Sequence, residues 1–193
     1  MARPREFSPD EALEQAMQAF WSNGYEATSL ADLTRVMGIS KSSFYETFGS
    51  KHELFLAAID RYGETVVEQI VGLLETGSWA GGAIAAVFER AIDSALAEGN
   101  RRGCLVGNAA VEVSPHDAAA AARVAACLER LETAFHHAVT RGQEAGEIPP
   151  ERDARALARF LTASLQGLLV LAKAKPDRDT LNDVARIVLG TIV

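Results

Sequence analysis

Near the N-terminus, Ala12, Leu13, Ala16, Met17 and Phe20 fall at the i, i+3, i+4 intervals of a helix with one inward stripe. Ser8-Pro9-Asp10-Glu11 ahead of them supplies a cap, a first-turn proline and an acid three residues on, so a first helix is expected from here to about Gly24. Ser29 with Asp32 opens a short second helix through Leu30, Leu33 and Val36, stopped at Gly38 by a left-handed turn. Ser40 caps a third helix almost at once, and Ser50-Lys51-His52-Glu53 launches a long fourth toward Gly72 or beyond. Two glycine-rich breaks, 77–82 and 99–103, flank a helix rich in Ala, Ile and Phe. Ser114-Pro115-His116-Asp117 is expected to cap an alanine-rich helix that ends near Gly142, and Pro149-Pro150 and Pro176 punctuate the last two. No segment alternates apolar and polar residues over the length of a strand. The expected fold class is all-α, with about nine helices.

Met37-Gly38-Ile39-Ser40-Lys41-Ser42-Ser43-Phe44-Tyr45-Glu46-Thr47 reads as helix, glycine turn, buried Ile, capping Ser and a two-turn helix, the layout of a helix-turn-helix. At 100° per residue Phe44 and Phe48 fall together toward the core, leaving Ser42, Ser43, Tyr45 and Glu46 mostly on the opposite side. Small hydroxyls let a helix approach a DNA groove closely, and a carboxylate accepts from cytosine N4, so base reading is assigned to that face. Phosphate contacts are expected from Thr28, Lys41, Tyr45, Thr47 and Lys51, with help from helix N-termini. The arm Arg3-Pro4-Arg5 reads either as an added backbone or minor-groove contact or as a solvated tail.

Charge qualifies this picture. The chain of 193 residues is 48% hydrophobic, carries a formal net charge of −7, and holds five basic against eight acidic groups within residues 1–53. Bulk electrostatics therefore does not favour nucleic acid, and any DNA contact must be local and reinforced by a second copy. No uninterrupted apolar run of membrane-spanning length and no signal-like start is present, so a cytoplasmic protein with no membrane partner is expected. Cys104 and Cys127 are too few for a disulfide framework and read as reduced thiols.

From the capped first helix through Gly24-Tyr25, Thr28-Ser29-Leu30-Ala31-Asp32-Leu33, Met37-Gly38-Ile39-Ser40-Lys41, Phe44-Tyr45 and Phe48-Gly49-Ser50-Lys51-His52-Glu53-Leu54-Phe55, the segment resembles the DNA-binding domain of the TetR family almost position by position. The resemblance implies a homodimer on a near-palindromic double-stranded operator, release when a small-molecule effector binds, and control of its own or a neighbouring gene. It places a DNA-binding domain at 1–49 and a ligand-binding and dimerisation domain at 50–193. Two departures, Ser42 where the family often has Gly or Pro and Glu46 where His or another polar residue is common, bear on which operator is read.

In the larger domain, Leu157, Phe160, Leu161, Leu165 and Leu168 form one stripe while Leu169, Val170 and Leu171 extend it around the helix. With Gly167 for close approach, Leu165, Leu168 and Leu169 are expected to meet Val184, Ile187, Val188 and Ile192 in a two-fold four-helix interface. A ligand cavity is expected among Phe88, Ile92, Cys104, Leu105, Leu131, Phe135 and Phe160, all of which also read as ordinary core. Cys104 follows Arg101-Arg102-Gly103 and reads either as an activated sensor thiol or as a small buried hydrophobe. The segment Gly103-Cys104-Leu105-Val106-Gly107-Asn108, expected to open the sixth helix, is also similar to one in TetR-type regulators that answer electrophiles or unsaturated acids.

Glu112, His116, Asp117 and His136-His137 read as capping or solvated groups rather than a metal site, since adjacent histidines on a helix point about 100° apart. No metal or other cofactor is expected. No nucleophile motif, metal signature or phosphate loop supports an enzyme. A DNA-binding adaptor that recruits a protein without sensing a ligand remains open beside the ligand-responsive repressor.

Overall fold

Serine and aspartate side chains start most of the helices. In the computed structural model, which describes residues 7–77, 79–97 and 100–192, Ser8 Oγ accepts the Glu11 N–H and opens α1 (Pro9–Asn23). The basic arm Arg3-Pro4-Arg5 lies outside the described residues. Ser29 and Asp32 exchange both bonds of a capping box at the head of α2 (Leu30–Met37), and Ser40 Oγ accepts from Ser43 N–H to start α3 (Lys41–Phe48). Ser50 accepts from Glu53 N–H and begins α4, a continuous rod made of Lys51–Tyr62, a π-helical turn at Gly63–Val67 and Glu68–Thr76. Then come α5 (Ala80–Leu96), α6 (Leu105–Glu112), α7 (Ala118–Glu144), α8 (Ala154–Ala174) and α9 (Arg178–Gly190). The described residues thus hold nine helices and no strand, the expected class.

One cap differs from expectation. Ser114 does not start the alanine-rich helix; residues 113–116 are turn, and Asp117 caps α7 by accepting the Ala120 N–H at 2.8 Å. Ser114 Oγ instead donates to the Ala109 carbonyl, closing the end of α6.

Two apolar cores are stacked along the rod. The first joins Met17 and Phe20 of α1, Leu33 of α2, Phe44 of α3, and Leu54, Phe55 and Ile59 of α4 to Leu105 and Val106 of α6 and Val124 to Leu131 of α7. The second joins Leu74 of α4, Ile84 and Phe88 of α5, Phe135 and Val139 of α7, Leu161 and Leu165 of α8, and Leu181 and Val188 of α9. The N-terminal head therefore shares its core with α4, α6 and half of α7. Ala154–Ala174 has the length and mean hydropathy (1.3) of a membrane-crossing helix, by composition only. Its inner face lies against α5, α7 and α9 within the bundle.

Candidate functional site

The turn between α2 and α3 is closed by Gly38, whose φ of 65° lies in the left-handed region that side chains other than glycine seldom adopt. Ile39 packs half-buried behind it, and its N–H donates to the Thr34 carbonyl at 3.1 Å. Phe44 is fully buried and anchors α3, with Phe48 packed against the same core. The opposite face then points outward: Lys41, Ser42 and Glu46 are exposed, and Tyr45 is 52% exposed while its ring meets Phe44 edge-on at 5.4 Å. Ser43 and Thr47 are half-buried at the margins. The hydroxyls of Ser42 and Ser43 both lie 2.9 Å from Ser40 Oγ, which ties the first turn of the reading helix together.

Thr28 departs from its expected role as a phosphate contact. It is buried, and its hydroxyl donates to the Gly24 carbonyl at 2.6 Å, so it shapes the α1–α2 turn. Lys51, at the start of α4, extends its ammonium over the Tyr25 ring, 4.3 Å from the centroid, and Tyr25 in turn packs against Phe55. On α2 the Ser29 hydroxyl and N–H, with Arg35, hold the Asp32 carboxyl below its ordinary range.

A cavity of about 160 Å³ opens where the two cores meet. Trp21 of α1, Tyr62, Val66 and Ile70 around the π turn of α4, Val87 and Ala91 of α5, Gly103, and Leu165 and Leu169 of α8 make its apolar wall, and Gln69, Arg90 and Ser94 its polar part. The π turn carries one more residue per turn than an α-helix and brings Val66 into this wall. None of the seven residues expected to line a cavity lines this one. Phe88, Ile92 and Phe135 are packed in the second core and Leu105 and Leu131 in the first, because α5 turns 88 and 92 inward and presents 87, 91 and 94 to the space. Phe160 is on the outside of α8, 42% exposed. Cys104 caps α6 from a buried position, its Sγ accepting from Gly107 N–H at 3.4 Å and from the Tyr62 hydroxyl at 3.7 Å. Burial, and then the Cys104 contact, push the Tyr62 phenol well above its ordinary range; burial also raises the Cys127 thiol.

The last two helices divide differently from the expected interface. Leu165, Leu168, Val188 and Ile192 are buried in the chain's own second core, with Leu169 and Val184 half-buried against it. Gly167 and Ile187 do face outward. The outward positions of α8 include Phe160, Ala163, Gly167 and Val170, a 3-4-3 apolar stripe, and Ile187 is likewise exposed on α9. Sequence reasoning saw too much apolar surface here but could not tell its two sides apart.

Glu112 and Asp117 are engaged in contacts within the fold. Glu112 accepts the N–H groups of Tyr25 and Glu26, each at 3.0 Å. Asp117 is held below its ordinary range by the Ala120 N–H and then by His52, with which it pairs. Among the described residues no three His, Cys, Asp or Glu side chains come together as a metal site.

Two family models match the chain: bacterial regulatory proteins of the tetR family over residues 12–58, and the tetracyclin repressor-like C-terminal domain over residues 82–188. It is 34% identical to the HTH-type transcriptional regulator YezE of Bacillus subtilis over 193 residues, all of both chains. It is 31% identical to the HTH-type transcriptional repressor ComR of Escherichia coli over 184 residues, 95% of this chain and 88% of ComR. Among solved structures it is similar to the TetR family transcriptional regulator CifR, a cysteine mutant complexed with 26 bp double-strand operator DNA, with TM-score 0.89, 32% identity and 100% of each chain covered. With family models matched in both halves and whole-length relatives above 30% identity, the chain belongs to the TetR family, whose members are transcriptional regulators and not enzymes.

Proposed function

We propose that the chain is a ligand-responsive transcriptional repressor that acts in the cytoplasm as a homodimer on a near-palindromic operator. The observation that carries this reading is α3: a helix anchored by buried Phe44, with Ser42, Tyr45 and Glu46 exposed on its far face. Residues 1–49 form the DNA-binding domain and 50–193 the ligand-binding and dimerisation domain. Ser42, Ser43, Tyr45 and Glu46 read base edges, and Lys41, Tyr45, Thr47 and Lys51 hold phosphates. The outward stripe of Phe160, Ala163, Gly167, Val170 and Ile187 pairs with its symmetry mate. Two copies of α3 then sit about 34 Å apart, one turn of B-DNA. CifR bound to a 26 bp operator and the repressor ComR support this reading by their likeness to the chain.

The effector occupies the space between Trp21, Tyr62, Ala91 and Leu165. Its volume, about 160 Å³, resembles that of cavities which take a benzene-sized guest, about 150 Å³. A compact, mostly apolar effector therefore fits better than a large drug-like one. The cavity favours the ligand-responsive repressor over an adaptor that senses nothing. The test is gel retardation of the DNA flanking the gene by the purified chain, with a library of small effectors added. Retardation of a palindromic fragment, reversed by a compact molecule that also raises the melting temperature, is expected; no retardation of any flanking fragment refutes the reading.

A further inference from the structure

We infer that Glu112 is the residue that sets the angle of the DNA-reading head. Its carboxylate makes a two-point grip: one oxygen accepts the N–H of Tyr25 and the other that of Glu26, both at 3.0 Å. These amides belong to the turn that joins α1 to α2, so the last residue of α6 fastens the segment from which α2 and α3 are hung. Hydrogen bonds to an ionised acceptor are about twice as strong as neutral ones, and two parallel bonds fix direction as well as distance.

The surrounding residues are shaped to admit that carboxylate. Gly24 has a φ of 86°, and a Cβ placed on it would come within 2.9 Å of a Glu112 oxygen. Glycine at this point is required for its backbone angle, and its missing side chain leaves room for the Glu112 carboxylate. Tyr25, whose N–H Glu112 holds, lies under Lys51 and against Phe55, so the grip reaches a side chain assigned to phosphate binding. A second tie, between His52 and Asp117, lies five residues further along the chain and joins the start of α4 to the cap of α7.

At its other end, α6 meets the cavity. The carbonyl of Gly103, which lines the cavity, accepts the Trp21 indole N–H at 2.9 Å, and the Arg102 guanidinium lies 4.1 Å from the Trp21 ring centroid. The eight residues of α6 span about 12 Å at 1.5 Å per residue. One short rigid helix therefore links the wall of the cavity to the turn held by Glu112. A displacement at Gly103 is delivered to Tyr25 and Glu26 through this carboxylate, beside the core packing of Leu105 and Val106. The consequence for DNA is selectivity for half-site separation: a head with a fixed angle tolerates one spacing, and a loosened head tolerates several.

This inference rests on the DNA-binding reading above, so its test has one arm that needs DNA and one that does not. In the first, the full-length chain, Glu112→Ala and the isosteric Glu112→Gln are titrated against its operator and against copies with one base pair added to or removed from the centre. The wild type is expected to prefer the natural spacing by at least about tenfold, and both variants to lose most of that preference, a change of the size set by hydrogen bonds to a charged group. In the second, hydrogen exchange at the Tyr25 and Glu26 amides is expected to be slow in the wild type and at least about tenfold faster in both variants. Wild-type spacing preference in either variant, or fast exchange at those two amides in the wild type, overturns the role of Glu112. A wild type that binds no operator at any spacing refutes the DNA-binding reading instead, and the exchange arm still decides the grip from whichever variant keeps wild-type protection in the rest of α1 and α4.

Discussion

Ala91 illustrates how much turns on single positions in this chain. It is half-buried on α5, in the wall of the cavity and one helical turn from Val87. A phenylalanine in its place adds a ring to a space of about 160 Å³ and fills much of it without touching α3. Ala91→Phe is expected to bind operator as the wild type does and to lose effector-induced release and the associated rise in melting temperature. Unchanged release, followed by gel retardation across an effector titration, would place the effector elsewhere. Such a position was not legible in the sequence, because Ala91 is one small residue in an alanine-rich helix and nothing in its neighbourhood marks a void. Phe88 and Ile92 drew attention as large apolar residues, and size is what makes a residue good core. Thr28 misled in a similar way, since a hydroxyl at a helix start is as able to close a turn onto Gly24 as to meet a phosphate.

At the scale of elements, helix starts were the most legible feature, because Ser8, Ser29, Ser40 and Ser50 each satisfy a specific orphan N–H and leave a local signature. Ser114-Pro115 imitates a start for α7 that Asp117, which also reads as a capping group, provides. The π turn of α4 had no signal at all, since Gly63–Val67 continues the helical periodicity and only packing reveals the extra residue. Cap chemistry also predicts a pH response. Asp32, Asp117 and Asp177 are held below the ordinary 3.8 by the hydroxyl and N–H groups they accept from. The folded state thus binds their protons more weakly than the unfolded chain does. The stability they contribute is complete above pH 3.8 and falls away as pH drops below it through the lowered native values. Asp117→Asn keeps a capping oxygen but does not titrate, so its urea midpoint is expected to fall less steeply than that of the wild type between about pH 4 and pH 2. Parallel slopes for the two proteins would contradict a native-state role for that carboxylate.

For the whole molecule, the question is what covers the outer face of α8 and α9. Val170 and Ile187 are 62% and 61% exposed, beside Phe160 at 42%, on helices whose inner faces are already packed. Periodicity marks an over-apolar helix but not its partition: Leu165 and Leu168, expected to face outward, serve the chain's own core. The two assignments differ by a rotation of about 100° per residue, which only a neighbouring helix can fix. Val170→Asp is expected to yield a folded monomer by sedimentation, with operator affinity reduced by about two orders of magnitude because each half-site is then held alone. A dimer that survives Val170→Asp and Ile187→Asp together would show that another surface joins the copies. The acidic balance of the chain adds to this dependence, since a net charge of −7 leaves little nonspecific attraction to hold one copy on DNA.

The central claim is that the outward face of α3 reads sequence, and the most direct measurement of it is the affinity ratio for operator over scrambled DNA in Tyr45→Ala and Glu46→Ala at fixed salt. If that face reads bases or orients on them, each substitution lowers operator affinity by about 1–3 kcal/mol and shrinks the ratio, with the melting temperature unchanged in Glu46→Ala. Ratios equal to the wild type's in both variants would contradict it.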